Sequence, residues 1–126
     1  MGRTVLILED EAIIAIDLAQ TFEDWGWEVI GPAGRVDRAE ALCDDRLPGL
    51  AVLDINVGKA TSYDLARRLR DGRTRVVFLS GRDGLTIPED LSDCAALSKP
   101  VNLAELRRLV EGEPAAADAR RLDPDQ

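Results

Sequence analysis

The amino-acid sequence predicts an α/β domain built on an open parallel sheet of five strands, with helices on both faces. Five short apolar runs rich in β-branched residues alternate with segments of helical periodicity, which is the pattern of consecutive β-α-β units. The first run, Thr4–Leu8, is apolar throughout, as in a strand that is covered on both faces. Polar residues directly follow several of the runs, at the sheet edge where sites form in folds of this class.

Each expected strand is a short apolar run that is bounded by turn or polar residues. Gly31-Pro32 is expected to close the second run, and Pro48-Gly49 makes the turn before the third. The expected strands are Thr4–Leu8, Trp27–Ile30, Leu50–Leu53 leading into Asp54, Val76–Leu79 and Cys94–Leu97.

The helices are predicted from apolar residues that recur every three or four positions. In the first helix this stripe consists of Ile14, Leu18, Phe22 and Trp25. Gly26 is placed to end that helix, and Asn102 is placed to cap the last one. One face of the last helix is expected to carry Leu103, Leu106, Leu109 and Val110. The first helix is expected over about residues 12–24, and the two helices between the first and the last over about 36–45 and 62–70.

Two connecting segments are less regular in sequence. Residues 58–61 are expected to form a loop, after which Thr61 or Ser62 caps the third helix. Residues 84–93 contain Pro88 and no sustained apolar stripe, so we expect a short or irregular helix where the alternation requires a full fourth one.

Two groups of residues have a structural and a functional interpretation. Five arginines lie between positions 67 and 75; a solvated helix face is the favoured interpretation, and a docking surface for a kinase is the alternative. Trp25 and Trp27 are expected to close the core beneath the first helix and second strand, with a partner-facing role as the alternative.

The composition indicates one globular domain and excludes several classes of function. The chain has 126 residues, of which 45% are apolar and 32% charged, and its formal net charge is -8. A negative balance with scattered basic residues argues against a surface for duplex nucleic acid. No apolar run approaches the roughly 20 residues that span a bilayer, and we expect a cytoplasmic protein. Cys43 and Cys94 are expected to be unpaired thiols, and the chain contains no histidine.

Asp54 is the residue at which a site is predicted. It stands between Leu53 and Ile55 at the end of a buried run, where an ionised carboxylate is costly to bury without a partner. The candidate partners, all at other strand ends, are Glu9, Asp10, Ser80 and Lys99.

These residue types fit phosphoryl transfer to an aspartate. Glu9, Asp10 and Asp54 would repel one another unless a cation joins them, and hard oxygen ligands suit Mg²⁺. An aspartate beside Mg²⁺ can act as a nucleophile on a phosphoryl group. Lys99 would supply a positive charge for a phosphoryl oxygen, and the Ser80 hydroxyl a hydrogen bond.

Four motifs at successive strand ends resemble the receiver domains of response regulators, over roughly residues 3 to 112. They are Val5-Leu6-Ile7-Leu8-Glu9-Asp10-Glu11, Leu53-Asp54-Ile55-Asn56, Phe78-Leu79-Ser80-Gly81 and Ser98-Lys99-Pro100. The resemblance implies a flavodoxin-like (βα)5 fold with strand order 2-1-3-4-5. It also implies that Glu9 and Asp10 help hold Mg²⁺, that Asp54 accepts the phosphoryl group, and that Asn56 offers its backbone carbonyl to the metal.

By the same resemblance Ser80 would be the hydroxyl switch and Lys99 the lysine that pairs with the phosphate. Receivers usually carry threonine at the position of Ser80 and an aromatic residue three positions before the lysine, where this chain has Ala96. The segment between Ser80 and Lys99 is also shorter than usual. The chain is similar here to an atypical alphaproteobacterial subclass whose fourth strand ends in a Phe-Ala-Thr-Gly-like motif, although Leu79 and Ser80 replace its Ala-Thr. Members tend to be stand-alone receivers that pair with sensor histidine kinases of the HWE type.

The leading hypothesis is a single-domain response regulator that a sensor histidine kinase phosphorylates on Asp54. It would signal through protein–protein contacts, as a phosphate sink, a shuttle or a switchable binder. No enzymatic activity is expected beyond Mg²⁺-assisted self-phosphorylation and autodephosphorylation of Asp54. The receiver is expected over residues 1–112, and residues 113–126 are expected to be a flexible tail, since about 14 residues are far below the roughly 50 of the smallest domains.

Two alternatives come from other classes of function. The alanine at position 96 motivates a degenerate receiver that acts as a phosphorylation-independent interaction module. A Mg²⁺-dependent phosphohydrolase of haloacid-dehalogenase type or a Toprim-like nuclease is disfavoured, because Asn56 stands where both need a second carboxylate.

Overall fold

A computed structural model describes residues 3–81 and 87–111 of the chain. The strands in these ranges are β1 (Thr4–Leu8), β2 (Glu28–Ala33), β3 (Leu50–Asp54), β4 (Asn56–Val57), β5 (Ala60–Thr61), β6 (Arg75–Ser80) and β7 (Ala95–Ser98). The α-helices are α1 (Ala12–Asp24), α2 (Val36–Asp45), α3 (Tyr63–Asp71) and α4 (Leu103–Glu111), and a 3-10 turn covers Glu89–Leu91. None of the helices in the described ranges has the length and apolar content needed to cross a bilayer.

The main sheet is five-stranded and parallel, in the order β2-β1-β3-β6-β7. This confirms the predicted open sheet and the strand order 2-1-3-4-5, with β6 and β7 as its fourth and fifth strands. All five residues of the central strand β3 are buried, which explains why its sequence is apolar up to Asp54. Because the strands are parallel, the residues that follow them meet at one edge of the sheet.

The core consists of two apolar layers, one on each face of the sheet. On one face Leu6 and Leu8 pack with buried residues of α2 and α3. On the other face Val5 and Ile7 pack with α1 and α4. Alternate residues of one strand therefore serve opposite layers, and the prediction of helices on both faces is confirmed. The cysteines are unpaired as expected, Cys43 buried and Cys94 half-buried.

The two tryptophans close the core beneath α1 and β2, as predicted. The rings of Trp25 and Trp27 pack edge-to-face on Phe22, with centroids 5.2 and 5.6 Å away. The guanidinium groups of Arg3 and Arg107 cover their outer faces, at 4.6 Å from Trp27 and 5.3 Å from Trp25. Cation–π contacts of this kind hold Arg3 and α4 against the same aromatic cluster.

The arginines of α3 and β6 form intramolecular contacts. Arg67 makes an ion pair with Asp90 at 2.8 Å, and Arg70 donates to the backbone carbonyl of Asp90. Arg75 donates to the carbonyl of Leu109 at 2.9 Å, near the end of α4 where carbonyls lack helical partners. These contacts support the structural interpretation of the arginine run, because they tie the 3-10 turn and α4 to the domain.

Two of the predictions are wrong: the end of the second strand and the loop at residues 58–61. β2 continues through Gly31-Pro32 to Ala33, which is possible because β2 lies at the sheet edge, where proline is tolerated. Gly31 has φ +96, and a Cβ there would lie 2.8 Å from the Ala33 nitrogen; the glycine permits the irregular register at this point. Residues 58–61 are not a simple loop, because β4 and β5 pair as an antiparallel hairpin across them.

The last helix agrees with the prediction except at its first residue. Asn102 accepts a hydrogen bond from the Glu105 N–H at 2.9 Å, as a cap does. Leu106 and Val110 are buried and Leu109 is half-buried. Leu103, predicted on the same apolar face, is 45% exposed, because the first turn of α4 borders the open cleft beside α1.

The irregular fourth helix is replaced, over the described residues, by the 3-10 turn at Glu89–Leu91. Its anchor is Leu91, which is fully buried in the α2 and α3 layer, while Ile87 packs against that layer half-buried. Residues 82–86 of this segment and the predicted tail at 113–126 lie outside the described residues.

We predict that Leu91→Ala lowers the free energy of unfolding by about 2–5 kcal/mol, because it leaves a cavity at a fully buried position. Ile13→Ala is the control: Ile13 is 76% exposed, and its truncation should change stability by about 0.5 kcal/mol or less. Urea denaturation followed by tryptophan fluorescence measures both. Equal stabilities of the two variants would contradict the role of Leu91 as an anchor.

Candidate functional site

The predicted site residues lie together at the carboxyl edge of the sheet. Glu9 follows β1, and Asp54 is the last residue of the adjacent strand β3. Carboxylate oxygens of Glu9, Asp10 and Asp54 lie within 4.8 Å of one another. Glu9 and Asp54 are 1% and 3% exposed, whereas Asp10 is exposed. Three acidic side chains therefore form a cluster in which two members are withdrawn from water.

Lys99 supplies the positive charge that faces the buried carboxylates. Its ammonium nitrogen lies 2.9 Å from Glu9 Oε1 and 3.0 Å from Asp54 Oδ1, and it donates a hydrogen bond to Asp54 Oδ2 at 3.2 Å. The second oxygen of Glu9 accepts the Glu11 N–H at 3.0 Å. Lys99 reaches this position because its own N–H donates to the Ser80 carbonyl at 2.9 Å, which extends the β6–β7 pairing by one residue.

Two buried carboxylates, those of Glu9 and Asp54, share the ammonium of Lys99, and the pKa values of Asp54 and Lys99 are both shifted. Burial raises the pKa of Asp54 to about 7; the hydrogen bond from Lys99 opposes the rise, and the charge of Glu9 adds to it. Partial burial lowers the pKa of Lys99, but its contacts with Glu9 and Asp54 outweigh burial and leave that pKa above its usual value. The site therefore holds an excess of negative charge that a further cation would neutralise.

The buried oxygens of the cluster fit a hard cation. Glu9 Oε1 and Asp54 Oδ1 are fully buried, and the ammonium of Lys99 faces both, but neither oxygen accepts a hydrogen bond of regular geometry from the described residues. Buried carboxylate oxygens are normally satisfied by donors or metal ions. Carboxylates at this spacing, with one side open to water at Asp10, match the ligands that Mg²⁺ takes in proteins.

Asn56 lies in the β4–β5 hairpin directly after Asp54. The Ser62 N–H donates to the Ile55 carbonyl at 2.9 Å, so Ile55 and Ser62 face each other as a hydrogen-bonded position. Hydrogen-bonded and non-bonded pairs alternate along an antiparallel ladder, and Asn56 pairs next, with Thr61. The backbone carbonyl of Asn56 therefore points away from β5.

The same hairpin contacts Asp10. The Gly58 N–H at its tip donates to Asp10 Oδ2 at 3.1 Å. Gly58 has φ +61, a left-handed conformation that is typical of two-residue hairpin turns. One oxygen of Asp10 is thereby used within the protein, and the carboxylate is oriented toward the hairpin.

The sequence missed the position of the Ser62 side chain. Ser62 does stand at the N-cap position of α3, but its hydroxyl makes no cap hydrogen bond. It is fully buried and donates to the Asp54 backbone carbonyl at 2.6 Å. Its position eight residues after Asp54 carries no signal for this contact, because the contact depends on the hairpin that the sequence did not predict.

Ser80 and Ala96 lie on neighbouring strands beside the cluster. Ser80 ends β6 and is half-buried, and no hydrogen bond of its hydroxyl is found within the described residues. Ala96 pairs with Phe78 on the edge strand β7 and is exposed. The site thus brings together Glu9, Asp10, Asp54 and Lys99. Ser80 lies at the adjacent strand end, where its backbone carbonyl accepts the Lys99 N–H.

We predict that Asp54→Asn stabilises the metal-free protein at pH 8 by on the order of 1 kcal/mol, because it removes one of two carboxylates that share an ammonium. The folded protein holds the Asp54 proton up to about pH 7, whereas the unfolded chain releases it near the ordinary value of 3.8. The stability that this proton contributes is therefore lost as the pH rises from about 4 through 7. The stability gap between the variant and the unsubstituted protein should widen from pH 5 to pH 8.

Urea unfolding in the presence of a chelator measures this gap, since urea adds no charge. A gap that stays constant over this pH range would contradict the raised pKa of Asp54.

Comparison with proteins of known sequence places this chain among signalling proteins. It is 31% identical over 113 residues to the transcriptional regulatory protein PdtaR of Mycobacterium tuberculosis, an alignment that spans 86% of this chain and 55% of the relative. It is also 36% identical over 63 residues to the phyllosphere-induced regulator PhyR of Methylorubrum extorquens, covering 49% of this chain and 24% of that protein. The chain thus spans about half the length of the mycobacterial relative.

Solved structures show the same fold. SdrG from Sphingomonas melonis Fr1 superposes with a TM-score of 0.75 at 26% identity, covering 87% of this chain and 94% of that one. A CheY-like response regulator receiver domain from Methylobacillus flagellatus gives a TM-score of 0.77 at 20% identity, over 89% of this chain and 98% of that one. The second likeness, at this low identity, shows the fold alone.

The family model of the response regulator receiver domain matches residues 5–111. This range contains every strand end of the site and nearly all of the described residues. Receiver domains generally use Mg²⁺, and histidine kinases phosphorylate them in two-component systems. The chain therefore belongs to the response regulator receiver domain family.

Proposed function

We propose that this chain accepts a phosphoryl group on Asp54 from a sensor histidine kinase and signals through that modification. The observation that supports this most is the Asp54 carboxylate itself, which is 3% exposed; its Oδ1 has the Lys99 ammonium at 3.0 Å but accepts no hydrogen bond of regular geometry from the described residues. Two further carboxylates lie beside it. Such a carboxylate can act as a nucleophile, provided that its neighbours can neutralise an incoming phosphate.

Each neighbour has a task in this proposal. Glu9, Asp10, Asp54 and the Asn56 carbonyl would hold Mg²⁺, which when bound neutralises negative charge on the transferring phosphoryl group. Lys99 already lies within 3.0 Å of Asp54 Oδ1, and it would pair with a phosphoryl oxygen without a large movement. Ser80, at the next strand end, would donate its hydroxyl hydrogen bond to the same group.

We further propose that the chain does not turn over an external substrate. Retention of the phosphoryl group on Asp54 requires that water is not strongly activated beside it. Asn56, two residues after Asp54, has an exposed amide side chain where a phosphohydrolase of haloacid-dehalogenase type would need a carboxylate acid–base. Steady multiple turnover on a phosphate ester would contradict this part of the proposal.

The kinase partner is proposed from the atypical features at the site. Ala96 in place of an aromatic residue and the short segment between Ser80 and Lys99 resemble the alphaproteobacterial subclass that pairs with HWE-type kinases, although Ser80 replaces the threonine of its motif. The similarity to PhyR and SdrG supports this assignment, while PdtaR matches over a larger part of the chain. A cytoplasmic location is part of the same proposal.

Protein–protein contact is the proposed form of the output. The chain has a net charge of -8, and α3 arginines that could have attracted a polyanion are held in ion pairs with Asp44, Asp64 and Asp90. A phosphate sink, a shuttle and a switchable binder all fit these properties, and none of them needs a basic surface for nucleic acid.

We predict that a small phosphodonor with Mg²⁺ adds one phosphoryl group to the unsubstituted protein and none to Asp54→Ala, as measured by intact mass. Asp64→Ala is the matched control, because Asp64 is an aspartate in the first turn of α3 whose side chain is 93% exposed. This variant should be phosphorylated normally. Absence of phosphorylation in the unsubstituted protein, or its persistence in Asp54→Ala, would contradict the proposed acceptor.

A second candidate, the phosphorylation-independent interaction module, is favoured by the exposed methyl side chain of Ala96, which offers no ring that could change position. Backbone NMR with Mg²⁺ and a phosphoryl mimic such as beryllium trifluoride separates the two. The switching receiver predicts amide shift changes over residues 87–98 that exceed those in α2. Changes confined to the immediate neighbours of Asp54 would instead favour the constitutive module.

A further inference from the structure

The buried hydroxyl of Ser62 is hydrogen-bonded to the backbone of Asp54, although the two residues are eight positions apart in the sequence. Ser62 is fully buried, and its Oγ donates to the Asp54 carbonyl at 2.6 Å. Its N–H donates to the Ile55 carbonyl at 2.9 Å. One residue therefore binds two successive carbonyls of the segment that leaves the sheet after Asp54.

These two bonds fix the backbone that leads to the next carbonyl, that of Asn56. Peptide planes are rigid, so the bonds fix the two planes that precede Asn56, and the pairing of Val57 with Ala60 fixes the chain that follows it. Beyond it, the hairpin tip is held from the other side by the bond from Gly58 N–H to Asp10 Oδ2 at 3.1 Å. The Asn56 carbonyl lies between these two fixed points and points away from β5, as the ladder alternation requires.

We propose that Ser62 is a positioning residue for the cation site, which acts by fixing the backbone from which the Asn56 carbonyl would bind the cation. This inference rests on the proposed function, because it concerns the Mg²⁺ that phosphoryl transfer to Asp54 would need. The hydrogen bonds of Ser62 to this segment go to backbone carbonyls and not to a carboxylate, so we expect its effect to be transmitted through the backbone.

An ordinary capping role does not explain this geometry. A serine at an N-cap position normally turns its hydroxyl to an N–H of the first helical turn, and the Ser62 hydroxyl makes no such bond. The α3 helix still begins at its position, since the Ala66 N–H donates to the Ser62 carbonyl at 2.9 Å. The side chain is directed instead to the strand end that carries the predicted phosphoacceptor.

The chain offers a close internal control for this contact. Thr74 is also buried, at 3% exposure, and its hydroxyl also donates to a backbone carbonyl at 2.6 Å, that of Pro48. Thr74 precedes β6 and Pro48 precedes β3, so this bond lies at the amino ends of the strands, whereas Asp54 lies at the carboxyl end of β3. Thr74→Val and Ser62→Ala thus each delete one buried hydroxyl of the same kind, and only the second deletion touches the Asp54 segment.

The test measures Mg²⁺ affinity of the folded proteins by isothermal titration calorimetry. Ser62→Ala should bind Mg²⁺ about tenfold more weakly, the usual effect of losing a residue that orients a ligand, and Thr74→Val should stay within about twofold of the unsubstituted protein. Phosphorylation by a small donor should need more Mg²⁺ in Ser62→Ala, yet reach a similar rate once Mg²⁺ is saturating. Unchanged affinity in Ser62→Ala, or an equal loss in both variants, would overturn the inference.

A measurement on the unsubstituted protein decides the question if Ser62→Ala does not fold. Carbonyl ¹³C NMR should show a large shift of the Asn56 carbonyl on Mg²⁺ addition, while the through-bond coupling between the Ser62 amide and the Ile55 carbonyl persists. An unmoved Asn56 carbonyl, or loss of that coupling, would refute the role of Ser62. If the unsubstituted protein neither binds Mg²⁺ nor accepts a phosphoryl group, the proposed function fails; if it does both and Ser62→Ala behaves identically, only this inference fails.

Discussion

The Lys99 ammonium lies 2.9 Å from one buried carboxylate and 3.0 Å from another, and the arrangement of the sheet is what brings the three charges together. Neighbouring strands lie about 4.8 Å apart, and β6 separates β7 from β3. A lysine at the end of β7 has to reach across β6 to Asp54, which a flexible four-carbon stem permits. The short, weakly apolar strand β7 is therefore essential to the site, because its pairing with β6 fixes where Lys99 begins.

One ammonium does not neutralise this cluster. Glu9 and Asp54 are almost completely buried, and Asp10 adds a third carboxylate at the rim. The remaining negative charge favours binding of a cation and opposes binding of a free phosphate, so a phosphoryl group is accommodated only when a cation joins the site. The excess negative charge that lowers the stability of the metal-free protein is also what the proposed chemistry needs in order to bind a cation. Such a conflict between stability and chemistry is common at functional sites.

The sequence was sufficient for the sheet because its three central strands, β1, β3 and β6, are largely buried on both faces and therefore mostly apolar. It was sufficient for the acidic cluster and Lys99 because parallel strands bring their carboxyl ends together, whatever their loops do. The β4–β5 hairpin was missed, since Val57-Gly58-Lys59-Ala60 is too short to show strand periodicity, although Gly58 between two short extended pairs is a recognisable turn signal. The Ser62 contact was missed for the same reason, and Leu103 was misplaced because periodicity does not show where a helix extends past its sheet.

The absence of an aromatic ring at Ala96 does not isolate Asp54 from the rest of the domain. The Asp54 carbonyl is bonded to Ser62, and α3 starts directly after Ser62. From α3, Arg67 extends to Asp90 at 2.8 Å, in the 3-10 turn next to the buried Leu91. A continuous route of hydrogen bonds and one helix therefore connects the backbone at Asp54 with the 3-10 turn, and this route does not pass through β7.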